Sequence, residues 1–163
     1  MSPSYRERVE ACVVIGDMAG RILVEVRLDD AMPLGLRIHG GDRDGALRRL
    51  FDRSHGQLLV RGRLCSFALT QSALARSFAD KLRRDLHQIA IRPLSQKQVE
   101  RHLGISSAER LRWTKDGRLP KSGIAQIKKG ARITLTTYAV AAIEEIGARP
   151  ELIARWRADD AAR

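Results

Sequence analysis

Two hydrophobic rhythms divide the chain. Up to about position 93, Val, Ile and Leu gather in short runs that alternate in places, as in Arg21–Arg27 (RILVEVR) and Leu59–Leu64 (LVRGRL). That is the period of a half-buried strand. Strands are predicted at Val9–Ile15, Arg21–Arg27, Leu34–His39, Gln57–Phe67 and His87–Ile91, parted by turn signals at Gly16-Asp17, Asp29-Asp30, Gly40-Gly41 and His55-Gly56. One helix is predicted over Gly45–Arg53, with Ala46, Leu47, Leu50 and Phe51 on a face and Asp44 as its cap. Ser66–Leu86 reads either as a basic hairpin carrying Arg76, Lys81, Arg83 and Arg84 or as a helix. The helical spacing of Leu69, Ala73, Leu74, Phe78 and Leu82 favours the helix.

Pro93 blocks continuation of the strand before it, so a boundary is predicted near Arg92–Ser95, giving domains 1–93 and 94–163. Beyond it the rhythm changes. Ser95 is followed three residues later by Gln98, and Ser106 by Glu109, two capping-box patterns that each open a short helix. Gly104 between them suits a left-handed turn, and Gly117 with Pro120 stops the second helix at about Asp116. Ala108 and Leu111 are assigned to the core face of this helix, leaving Ser107, Arg110, Arg112, Thr114 and Lys115 outside. Ile124–Ile127 and Arg132–Leu135 alternate as a hairpin joined through Lys128-Lys129-Gly130-Ala131. An apolar helix over Tyr138–Ile146, opened by Thr136 or Thr137, and a last one over Pro150–Asp159 complete the chain. Trp156 in that last helix is assigned to the core rather than to a dimer contact.

Charge sharpens this picture. The chain carries +11, and Ser95–Leu135 holds ten basic residues against three acidic, a net +7 in 41 residues. The stretch from Thr136 onward has four basic against five acidic, so the basicity is local. Five of the six lysines lie between Lys97 and Lys129. A localised basic surface is the electrostatic footprint of nucleic-acid binding.

Two capped helices, a tight turn and a basic hairpin make the layout of a helix-turn-helix with a wing. The residues Gly104-Ile105-Ser106, Trp113 and Gly117-Arg118-Leu119-Pro120 resemble the winged helix-turn-helix of the MerR and excisionase superfamily, over about 55 residues. The resemblance implies the second helix in the major groove of duplex DNA and the wing on the backbone. DNA-binding residues are then expected at Ser107, Arg110, Arg112, Thr114, Lys115, Arg118, Lys121, Lys128, Lys129 and Arg132. An arginine can meet guanine through two acceptors at once, and lysines at a hairpin tip suit phosphate. Arg110 departs from the family pattern, which buries an aliphatic residue there. In MerR-like regulators the helices after the wing often carry dimer contacts, so a homodimer or another protein partner is a further expectation.

For the first domain, three strands, a helix and two strands is the order of an OB-fold barrel. The overall expectation is therefore α+β: an N-terminal OB-like β-barrel with one or two helices, then a winged helix-turn-helix with trailing helices. Ala46–Leu94 is similar to bacterial single-stranded DNA-binding proteins through Leu59-Val60-Arg61-Gly62-Arg63-Leu64. That resemblance implies single-strand contact by Arg61, Arg63, Phe67 and Phe78, although this half is poor in the aromatics on which such domains stack bases. A barrel serving dimerisation or partner docking is the equal alternative.

The chain lacks a Walker loop, Gly-x-Ser-x-Gly, Cys-x-x-Cys and His-Glu-x-x-His, and its four histidines have no metal-ligand spacing. No catalytic residue, metal or cofactor is expected, and no membrane partner. Cys12 and Cys65 in apolar runs, without a secretion signal, read as buried thiols of a cytoplasmic protein. The expected function is sequence-specific duplex binding, as a transcriptional regulator or an accessory factor of a mobile element. The alternatives are a single-strand-binding replication or recombination accessory protein, and an adaptor that docks a protein through the barrel.

Overall fold

The computed structural model describes residues 3–18, 21–29, 31–54, 57–61, 64–69, 72–129 and 131–162. The fold is α+β and divides into two compact units, Met1–Ala90 and Ile91–Arg163.

In the first unit, helix α1 (Tyr5–Ala11) opens with a capping box. Ser4 Oγ accepts from the Glu7 backbone N–H at 3.2 Å, and the Glu7 carboxylate accepts from the Ser4 N–H at 2.6 Å. The Ser-x-x-Glu signal stands in the sequence, yet Val9–Ile15 was expected as one strand. Strand β1 begins only at Val13 (Val13–Met18) and pairs with β2 (Arg21–Arg27). Helices α2 (Leu34–Ile38) and α3 (Gly40–Ser54) follow, then β3 (Gln57–Arg61), β4 (Leu64–Leu69) and the long α4 (Ser72–Ala90). The four strands form one antiparallel sheet in the order β1-β2-β4-β3, with Val24 opposite Phe67 and Val13 opposite Val26.

The OB-like barrel is overturned. Among the described residues the sheet is open, and β1 and β3 are its two edges. Two of the five expected strands are helical: Leu34–Ile38 is α2, and 87–90 is the last turn of α4. The reason lies in burial. Ala75, Ala79, Leu82, Leu86, Ile89 and Ala90 are all buried along α4, a 3.6-residue period that a strand could not bury on one side. They pack with Val9, Val13, Val24, Val26, Leu36, Leu47, Leu50 and Phe67 into the core of this unit. With four strands paired among the described residues, the sheet is not the expected five-stranded closed barrel.

In the second unit, α5 (Gln96–Leu103) and α6 (Ser107–Lys115) are followed by the hairpin β5 (Lys121–Lys129) and β6 (Ala131–Tyr138), then α7 (Val140–Gly147) and α8 (Pro150–Ala161). The predicted caps are present at Ser95 and Ser106, Gly104 has φ 63° and Gly117 φ 84°. Both glycines hold the left-handed region that a side chain disfavours. The helix expected at Tyr138 starts two residues later. Tyr138 ends β6, fully buried, and exchanges both backbone hydrogen bonds with Leu94 at 2.8 and 3.0 Å. Trp113 and Trp156 meet edge to face with ring centroids 5.0 Å apart, and Val99, Leu119, Ile143 and Ile153 of this unit are buried as well. No described helix is long and apolar enough to cross a membrane.

Candidate nucleic-acid interface

Helix α6 is nine residues long, too short to hold its shape alone. Its caps supply part of the answer. Ser106 Oγ accepts from the Glu109 N–H at 3.2 Å, and the Glu109 carboxylate accepts from the Ser106 N–H at 2.6 Å. The rest comes from three other elements.

The inner face of α6 is not the one expected. Ala108 and Leu111 are exposed, and the buried positions are Arg110 and Trp113. Arg110, only 5% exposed, donates from Nε to Glu100 of α5 at 2.7 Å and from Nη1 to the Tyr138 hydroxyl at 3.1 Å. A buried guanidinium is tolerable only when its charge and donors are met, as here. Thr114 also turns inward, donating to the Arg110 carbonyl at 2.6 Å with its oxygen 2.9 Å from Tyr138 Oη. Arg110 and Thr114 are thus removed from the set expected to contact DNA.

Helix α8 clasps both ends of α6. At the N-terminal end, Arg157 donates to the Glu109 carboxylate at 2.7 Å and to the Gly104 carbonyl at 2.8 Å. The Arg157 hydrogen bond holds the Glu109 carboxyl down at about 2. At the C-terminal end, one carboxylate oxygen of Asp160 accepts from Trp113 Nε1 at 2.8 Å and from Arg112 Nη1 at 2.9 Å. Its other oxygen accepts from Arg118 at 2.7 Å. These three donors, Arg118 foremost, hold the Asp160 carboxyl far below its ordinary range. Arg118 also pairs with Asp116 at 2.6 Å and lies over the rings of Trp113 and Trp156 at 5.6 and 5.9 Å. It is a structural cation locked in place, against its expected role on DNA.

What remains outside on α6 is Ser107, Ala108, Leu111, Arg112 and Lys115. Ser107 is exposed. The Arg112 side chain is 54% exposed although tethered to Asp160. Lys97 and Arg101 of α5 and Lys121 at the start of β5 are exposed as well. The three acidic residues of the basic segment all serve internal partners: Glu100 holds Arg110, Glu109 holds Arg157, and Asp116 holds Arg118. The outward surface of α6 is therefore cationic without an opposing carboxylate among its own exposed residues.

The backbone of Lys128, Lys129 and Arg132 lies on the hairpin, with Lys128 opposite Arg132 and Lys129 opposite Ala131. The side chains of these three residues, and Gly130 between the strands, lie outside the described residues. So do Arg63 and the side chain of Arg61. Phe67 is fully buried in β4 and Phe78 packs on it from α4, with centroids 5.0 Å apart. Both were expected to contact single strands; Phe67 is a core aromatic instead, and Phe78 is partly buried against it. Cys12 is buried, its thiol donates to the Arg8 carbonyl at 3.3 Å, and desolvation pushes its pKa to about 11. The side chain of Cys65 lies outside the described residues. No group of three metal-ligating side chains occurs among the described residues.

Sequence reading missed Asp160, Arg157, Tyr138 and Glu100 as the residues that set α6. Only Glu109 had a local signal, the capping box; Asp160 meets Trp113 across 47 positions, beyond any periodicity. Compared with family models, with curated proteins and with solved structures, the chain gave no match.

Proposed function

We propose that this is a sequence-specific duplex-DNA-binding protein that presents the outer face of α6 to the major groove. The carrying observation is the sorting of charge on that helix: Arg110 goes inward, the carboxylates are consumed by internal cations, and Arg112 and Lys115 stay outside. Arg112 is the base-reading candidate. Asp160 tethers it through one nitrogen, so its fork enters a groove already oriented, and less rotamer freedom is lost on binding. Ser107, Lys115 and Lys121 are assigned to the sugar-phosphate backbone, with Lys128, Lys129 and Arg132 of the hairpin acting as a wing. The order of α5, α6, hairpin and α7 supports the MerR- and excisionase-like reading, and with it a cytoplasmic transcriptional regulator or mobile-element accessory factor without a cofactor. Against the single-strand alternative, Phe67 is fully buried and Phe78 is partly buried with its ring packed on Phe67.

The test is a gel shift of the full chain on random-sequence duplex with single-stranded DNA of equal length as competitor. Duplex is expected to shift at low salt and to resist the competitor. Single strand competing as well as duplex would reverse the assignment.

A further inference from the structure

Resting on the duplex reading above, we infer that Leu111 reads thymine, through its 5-methyl group. Ala108, Leu111, Arg112 and Lys115 stand at i, i+3, i+4 and i+7, one face of α6, and that face is exposed. Leu111 is 59% exposed in its middle. It has no route into the core. The inward positions are filled by Arg110 and Trp113, and Arg157 and Asp160 of α8 hold α6 against rotation at both ends. An aliphatic side chain left in water by a helix so fully fixed gains free energy only when a partner covers it.

Charge selects the partner. Leu111 is followed on this face by the cations Arg112, one of whose nitrogens is paired with Asp160, and Lys115, and the carboxylates of its own segment are turned to internal partners. A polyanion is accepted on that face and an acidic gap is not presented to a basic one. In the major groove the apolar group within reach of a side chain is the thymine methyl, which an apolar side chain long enough to reach it, as leucine is and alanine at the same position is not, can cover while an adjacent arginine meets guanine. Ala108 beside Leu111 is small enough to let the helix approach closely.

The experiment enriches bound duplexes from a randomised library with the full chain, then replaces the thymines of the enriched site one at a time by deoxyuridine. The substitution removes the methyl and keeps every hydrogen-bonding edge. The wild type is expected to lose about three- to tenfold in affinity at one position, the scale of one buried methyl. Leu111→Ala, whose fold is checked by tryptophan fluorescence, is expected to bind the thymine and deoxyuridine sites equally. Equal binding of both sites by the wild type, or an undiminished thymine preference in Leu111→Ala, would overturn the assignment and leave duplex binding intact. If no duplex is retained even at low salt, the duplex reading fails and this one with it.

Discussion

Arg110 Nε lies 2.7 Å from the Glu100 carboxylate, and this pair, with Arg110 buried and Glu100 partly so, ties the second helix of the basic unit to the first. The Arg110 hydrogen bond, with one from Ser107, holds the Glu100 carboxyl below its ordinary range. Arg110 thus holds α6 from within, while Arg112, two positions on, is exposed and is the residue proposed to read DNA. Arg110→Ala takes the guanidinium away from Glu100 and from the Tyr138 hydroxyl, which keeps Thr114, so the melting temperature is expected to fall while the choice among DNA sequences stays the same. Restoring stability by the paired change Arg110→Met, Glu100→Leu is expected, because an apolar pair needs no mutual neutralisation. Arg112→Ala is expected to lose about 1–3 kcal/mol on an enriched site and little on random duplex, with the melting temperature nearly unchanged. Equal losses on both DNAs would make Arg112 a phosphate contact.

Acid should open this unit through Glu109. Its folded pKa of about 2 lies below its ordinary value of 4.5, with the Arg157 hydrogen bond as the largest cause. A depressed carboxyl contributes stability that is full above the unfolded pKa and is lost as pH falls through the folded one. The loss is expected between about pH 4.5 and 2. Both tryptophans belong to residues 91–163, so their fluorescence follows this unit specifically. Glu109→Gln is expected to lower stability at neutral pH and to flatten the acid limb; an unchanged limb would show that Glu109 and Arg157 are not coupled in solution.

The first unit has its own keystone. The Tyr5 hydroxyl donates to the Ala90 carbonyl and accepts from the Gly35 N–H, each at 3.0 Å. Tyr5→Phe leaves both backbone groups without this partner and is expected to cost about 1–3 kcal/mol by circular-dichroism melting. Gly35→Ala is expected to cost more, since a Cβ there would overlap the Ala90 carbonyl and come within 2.8 Å of Tyr5 Oη. A neutral Gly35→Ala would mean that α2 does not press on the end of α4.

The wing is tested by salt. Lys128 and Lys129 lie at the end of β5, and lysines that displace counterions from duplex act on every sequence alike. Replacing both by alanine is expected to weaken binding uniformly and to flatten the plot of log affinity against log salt by about 1–2 units. An unaltered slope would place the hairpin away from DNA.

Much of the second unit was legible because its signals are local. Capping boxes at Ser95 and Ser106, left-handed glycines at 104 and 117, and proline at the first turn of α8 act within four residues of themselves, and the helices begin and end where those signals stand. The alternation of Arg21–Arg27 likewise became β2. Tertiary structure decided the rest. Short apolar runs such as Leu34–Ile38 and 87–90 fit either period, and only the seam of α4 against the sheet made them helical. On α6 the apolar residues Ala108 and Leu111 offered one inward face and Arg110 with Trp113 another. Hydrophobicity favours the first, but Glu100, Tyr138 and Asp160, brought in from 10, 28 and 47 positions away, accept from Arg110 Nε and Nη1 and from Trp113 Nε1 and so let the second be buried.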